Sequence, residues 1–145
     1  PAVLVPGNGE SYAELDAACA AWDDAYVLHG TGCDIEGVSF WGLGGAVPVT
    51  PFGAWSYDFT EEQARSLLAG CPNGAVLVTH SPPYGHVDTT GGDEHLGSRS
   101  VVETIESARP RLVVCGHIHA CWEQKSALGD TPIVNAGPQG VVVEL

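Results

Sequence analysis

In RLVVCGHIHACW, residues 111–122, a short apolar run from Leu112 to Cys115 ends at a glycine, and two histidines follow one residue apart. A continuous apolar run of this length predicts a strand covered on both faces. Two other segments share the design: AVLVPGNGE (2–10) and AVLVTHSPP (75–83), each an apolar strand running straight into Asn or His. In an open α/β sheet the carboxyl ends of parallel strands face the ligand crevice. Asn8, His80, His117 and His119 are therefore expected at one edge. Amide oxygen and imidazole nitrogen are donors that suit zinc, manganese or iron. An extended GHIH would aim both imidazoles the same way, and Gly116 is expected where the backbone must pass close to another group. Taken singly, GNG reads equally as a tight turn, HSPP as a rigid loop, and a histidine after a strand as a hydrogen-bonded loop residue. Their common form and order is what favours a site.

Outward from these segments, strands and helices alternate. Ser11 with Glu14 suggests a capping box opening a helix whose apolar face is Leu15, Ala18, Cys19 and Trp22. AYVLHG (25–30) predicts a strand. CDIEGVSFWGLGG (33–45) alternates in part, with Ile35, Val38, Phe40 and Leu43 as core candidates. Thr60 caps a helix that begins at Glu61 and Glu62 and ends near Gly70 and Pro72. Ser100 with Glu103 resembles the cap of the next helix, which Pro110 stops. Three short strands are expected after residue 120, the last in GVVVEL (140–145). The pattern predicts an α/β layered fold with a mixed sheet, one domain over 1–145.

The composition bounds the partners. Eighteen carboxylates face five Lys and Arg, a formal net charge of −13. Such a surface repels phosphate backbones, which excludes an extended nucleic acid. A small phosphate ester stays compatible, because a bound cation reverses the local sign. No apolar run is long enough to span a bilayer. Five scattered cysteines with no C-x-x-C pair predict free thiols and a reducing, cytoplasmic setting.

The ordered set PGNGE, VTHSPP and CGHIHA resembles the second half of the calcineurin-like metallophosphoesterase signature, which runs D-x-H, G-D-x-x, G-N-H-D/E, a lone His, then G-H-x-H. THSPPYGHVD (79–88) with NAGP (135–138) is most similar to the class III phosphodiesterase-like branch. The resemblance implies an α/β/β/α sandwich. It also implies two divalent metals, manganese, iron or zinc, bridging a hydroxide that attacks phosphorus. Asn8, His80 and His117 would match ligands of one metal and His119 a ligand of the other. The implied partner is a small phosphodiester or phosphomonoester, with a nucleotide among the candidates.

Two departures shape the expectation. Gly9 stands where the motif has histidine, the residue that contacts phosphate and can protonate the leaving group; such acid catalysis is worth ~100- to 10,000-fold. His86, in the loop after His80, is the substitute expected to reach substrate. The chain also has no upstream D-x-H or G-D-x-x and no methionine. It therefore reads as the C-terminal portion of a longer phosphoesterase, lacking the first strands and holding one cation or none by itself. The competing expectation is a non-catalytic module that binds a nucleotide or phosphate. His29 and His95 receive no role, and Phe52 and Trp55 are read as loop anchors beside the site or as a stacking surface for a base.

Overall fold

In the computed structural model, which describes residues 1–145, the elements run β1 (Ala2–Leu4), α1 (Tyr12–Cys19), β2 (Ala25–Val27), β3 (Thr31–Ile35), β4 (Val38–Leu43), α2 (Glu61–Leu68), β5 (Val76–Thr79), α3 (Arg99–Ala108), β6 (Leu112–Cys115), β7 (Lys125–Leu128) and β8 (Thr131–Asn135). Six strands form one mixed sheet in the order β3-β4-β5-β6-β8-β7, and β1 pairs with β2 in a separate parallel pair. β4, β5, β6 and β8 are parallel neighbours. Their carboxyl ends, where Gly44, His80, Gly116 and Ala136 follow, therefore share one edge of the sheet.

Strand alternation divides the core. Leu77, Val113 and Ile133 point to the face covered by α2 and α3, with Ala64, Leu68, Val101 and Ile105 packed over them. Each such side chain taken from water contributes roughly 1.5–3 kcal/mol. Val76, Leu112 and Val134 point the other way, where Val38, Phe40, Val78 and Val114 are only partly buried. Coverage is thus complete on the helix side and partial on the other, where Val76, Leu112 and Val134 are buried but Val78 and Val114 are not fully so. β1 and β2 lie over this second face. A Cβ built on Gly42 would collide with the Leu28 Cβ, so only glycine admits this approach of the two sheets. With α1 against β2, the layers run helix, sheet, sheet, helix, as an α/β/β/α sandwich requires.

The partly alternating CDIEGVSFW is a hairpin: Glu36 and Gly37 lie at φ of 50° and 82°, the pair of positive values that a two-residue hairpin loop needs. Three local expectations need correction. α1 has the expected capping box of Ser11 and Glu14, but none of its residues is buried. α3 is capped by Ser98, not Ser100, and Glu61 at the start of α2 completes that cap by accepting from the N–H groups of Arg99 and Ser100, both at 2.8 Å. Glu103 instead pairs with Arg65. Residues 141–145 form no strand; Val141 packs on the second face and Val142 stands in solvent.

Candidate metal and phosphoester site

Sterics at the strand ends bring three of the expected donors together. His80 follows β5 directly, and its carbonyl accepts from Gly116 N–H at 3.0 Å, which ties the β5 and β6 exits side by side. The His80 and His117 rings stand 4.7 Å apart between centroids. Asn8 arrives from the turn after β1, with Oδ1 3.1 Å from His80 Nε2. Its amide orientation is fixed from behind: Nδ2 donates to Ser56 Oγ at 2.9 Å, and the Ser56 hydroxyl donates in turn to Asp58. The Asp58 carboxylate also accepts from the Thr50 N–H at 2.7 Å and hydroxyl at 2.6 Å. Ser56, Asp58 and Thr50 all lie in the loop after β4, where the sequence singled out only the aromatics Phe52 and Trp55.

GHIH is not extended. His117 sits at φ 64°, in the left-handed region that a non-glycine residue rarely adopts, and a tight 3-10 turn begins at His119. His119 therefore lays its ring on Trp122, with centroids 4.5 Å apart, while staying close enough to His80 and His117 for its charge to act on both. A backbone held in this region costs on the order of 1 kcal/mol and collects at functional positions. Gly116 is not forced by crowding, since a Cβ there would meet nothing closer than the His80 carbonyl at 3.9 Å. Asn135 Nδ2 holds the turn by donating to the carbonyls of Gly116 and Ile118. His86 is drawn away to β7, where Nδ1 lies 2.8 Å from Ser126 Oγ. His29 packs among Tyr12, Tyr57 and Phe59 and accepts from Gly44 N–H at 3.1 Å.

A cavity of about 640 Å³ opens at this edge, lined by Asn8, His117 and His119, by Phe52 and Trp55 from the loop after β4, and by Thr90, Glu94 and His95 from the loop after β5. None of its lining residues is Lys or Arg. Phe52 and Trp55 stack on each other at 5.6 Å, 50% and 66% exposed, and form an apolar shelf beside the imidazoles. Another cavity, about 670 Å³, lies at the opposite ends of β6 and β8 between Arg109, Arg111 and Asp130, out of reach of the strand-end donors.

The electrostatics suit a cation. Burial, then the neighbouring charges of His117 and His119, push His80 down to about 4 against a smaller opposing pull from Asp58. Burial also lowers His117, partly offset by Asp58. Both rings are thus neutral at neutral pH, the form with a free lone pair. Burial raises the Asp58 carboxyl, but hydrogen bonds from Ser56 and Thr50 and the nearby His117 outweigh it, so it stays ionised below the usual range. An amide oxygen and two imidazoles on three separate segments, with an anion behind them, fit one divalent cation. No group of three or more His, Cys, Asp and Glu side chains is placed to hold a metal ion, so the Asn8 amide oxygen is needed to complete even one set of donors. Asp58→Ala is expected to weaken metal affinity by roughly 10- to 100-fold, because it frees the Ser56–Asn8 relay that orients the amide. Titration of manganese into the two proteins measures this.

Comparison with known proteins bears on the same residues. The family described as metallophosphoesterases of the calcineurin superfamily matches residues 1–140. UPF0046 protein K07C11.7 of Caenorhabditis elegans is 36% identical over 112 residues, covering 75% of this chain and 36% of its own length. UPF0046 protein T07D4.2 of the same organism is 32% identical over 68 residues, 45% of this chain and 17% of its own length. The chain therefore spans little more than a third of the first relative and less of the second. One solved crystal structure superimposes with a TM-score of 0.73 at 25% identity, over 93% of this chain and 56% of its own. The crystal structure of TT1561 of Thermus thermophilus superimposes with a TM-score of 0.66 at 19% identity, over 94% and 63%, and shares the fold.

Proposed function

Because the chain belongs to the calcineurin superfamily of metallophosphoesterases, we propose that it takes part in metal-dependent hydrolysis of a small phosphodiester or phosphomonoester, with a nucleotide as the favoured class. The observation that carries the reading is the meeting of Asn8 Oδ1 and His80 Nε2 at 3.1 Å, with the His117 ring alongside, next to a cavity that Asn8 and His117 line and that has no Lys or Arg on its wall. An anionic ester in such a cavity needs positive charge, and these donors are suited to hold it. Asn8, His80 and His117 would hold one manganese, iron or zinc ion, and His119, which lines the same cavity, would serve a second. When bound, the metal supplies an activated water and neutralises charge on the phosphoryl group.

The residues of the chain do the rest. Asp58, through Ser56, keeps Asn8 Oδ1 facing inward. The stacked Phe52 and Trp55 offer an apolar surface for a base or another planar group, and base–aromatic stacking contributes ~1–3 kcal/mol. Five unpaired thiols favour a reducing compartment such as the cytoplasm, and no helix is long and apolar enough to cross a membrane. The test is hydrolysis of an aryl phosphodiester by the purified protein. Turnover that manganese restores after chelation is expected; none with manganese, iron or zinc contradicts the reading.

Gly9 favours a second reading, a module that binds a nucleotide or phosphate without cleaving it. The position has no side chain to donate a proton, and a Cβ built there meets nothing within 4 Å. A side chain can thus start from this position without its Cβ displacing a neighbour. Gly9→His is expected to raise the rate on esters with poor leaving groups by about tenfold or more, toward the ~100-fold worth of a positioned proton donor. Nucleotide affinity by calorimetry, with no turnover before or after the substitution, favours the binding module. An unchanged rate in an active protein counts against Gly9 as the limiting defect.

A further inference from the structure

The loop from Ser81 to Gly97 closes on a buried carboxylate. Asp88 is 1% exposed, yet its two oxygens accept from Gly85 N–H at 2.9 Å, Gly97 N–H at 2.9 Å and His95 Nδ1 at 2.7 Å. The loop folds back on itself around this point: Thr89 and His95 form a bridge, and Leu96 N–H donates to the Asp88 carbonyl at 3.1 Å. Gly97 has no room for a side chain, since a Cβ would lie 2.6 Å from the Pro83 carbonyl. The His95 ring is steadied on its other side by Tyr84, 5.3 Å away between centroids. The carboxylate thus fixes which ring nitrogen faces it. With Nδ1 committed to Asp88, Nε2 is the nitrogen left free, on a residue that lines the same cavity as Asn8, His117 and His119.

We propose that His95, oriented by the buried Asp88, is the group that protonates the leaving oxygen of the phosphoester in the cavity it shares with Asn8, His117 and His119. The assignment rests on the phosphoesterase reading and fills the role that Gly9 leaves open. In its protonated form the ring donates Nδ1–H to Asp88 and presents Nε2–H to the cavity. A bond forms from a water oxygen to phosphorus as the bond from phosphorus to the leaving oxygen breaks. That oxygen keeps the electron pair and takes the proton from Nε2. The water loses one proton to solvent, and the neutral imidazole, still held at Nδ1 by Asp88, regains one from solvent. Burial raises the Asp88 carboxyl, but the hydrogen bonds from His95, Gly85 and Gly97 outweigh it and keep the group anionic. Asp88 therefore acts as a positioning residue and His95 as the proton donor.

The dependence of rate on the leaving group reads this role directly. His95 lies at the surface of its loop, so His95→Gln should fold, and an unaltered melting temperature accompanies the assay. The manganese-loaded protein and its variant are given two methyl phosphodiesters, one releasing 4-nitrophenol and one releasing phenol. A nitrophenolate departs with little help; a phenolate needs the proton. The expected result is a loss for the phenyl ester about 100-fold greater than for the nitrophenyl ester. An active wild-type protein in which the two esters lose equally, or neither loses, overturns the assignment of His95 and leaves the phosphoesterase reading in place. A wild-type protein that turns over neither ester overturns both.

Discussion

His80→Ala is expected to lower metal-stimulated phosphoester hydrolysis by about a thousand-fold, a larger loss than any other single change to the cluster. A metal clamp supplies several kcal/mol to phosphoryl transfer, and each ~1.4 kcal/mol is a factor of ten in rate. His80 contributes an imidazole at the junction of all three segments: it faces Asn8 Oδ1, stands beside His117, and ties β5 to β6 through its carbonyl. The alanine variant keeps the carbonyl bond and so should keep the fold, but it leaves the Asn8 amide oxygen without a partner. His119→Ala is expected to cost less, because its ring is packed on Trp122, whereas His80 meets Asn8 Oδ1 directly. Manganese titrations of kcat/KM for the two variants, read beside their melting temperatures, measure the difference. Equal losses would mean that His119 matters to the cation as much as His80 does.

The second large effect is on stability. Asp88→Ala is expected to destabilise the protein by ~3 kcal/mol, because two loop N–H groups and the His95 ring lose their acceptor at a site closed to water. Proline-rich turns and the Ser98 cap of α3 would remain, so the loss should appear first as opening of the loop between Ser81 and Gly97. The pH dependence has a definite sign. The folded-state pKa of Asp88 is depressed relative to the unfolded ~3.9, so its contribution is complete above that value. It fades as pH falls through the lower folded pKa. Urea denaturation at pH 7 and near pH 3 should show the wild-type advantage over Asp88→Ala shrinking on acidification. Glu61, which bonds to the α3 amides and to Ser98, is also held below the ordinary range and adds an acid-labile contribution of the same sign.

Much of this was legible from local composition. VLV in β5 and LVV in β6 are continuous apolar runs, and both became central parallel strands because apolar side chains on both faces leave no other stable placement. Asn8 and His80 met because each directly follows such a strand or its turn. What failed was local geometry. A two-residue GHIH spacing predicts a common direction only for extended backbone, and the left-handed turn at His117 removes that condition. The Glu36–Gly37 turn was hidden in a stretch whose apolar residues alternate across it. What was absent from the sequence reading altogether depends on contacts between distant segments. Asp58 and Ser56 reach the site only because Asn8, 48 residues before Ser56, folds against their loop. His95 gained its setting from Asp88 within one loop, and the only signal available was a lone histidine flanked by glycines and carboxylates, a pattern shared with any solvated turn. Glu61 caps a helix 38 residues on, a distance no capping motif covers.

Crystals soaked in manganese and measured at a wavelength where the ion scatters anomalously provide the most direct test of the cation site. The account predicts an anomalous peak bonded to Asn8 Oδ1, His80 Nε2 and a His117 nitrogen at about 2.0–2.3 Å, with Ser56 and Asp58 unmoved behind it. A well-occupied peak elsewhere, or none at this junction at saturating manganese, would contradict it.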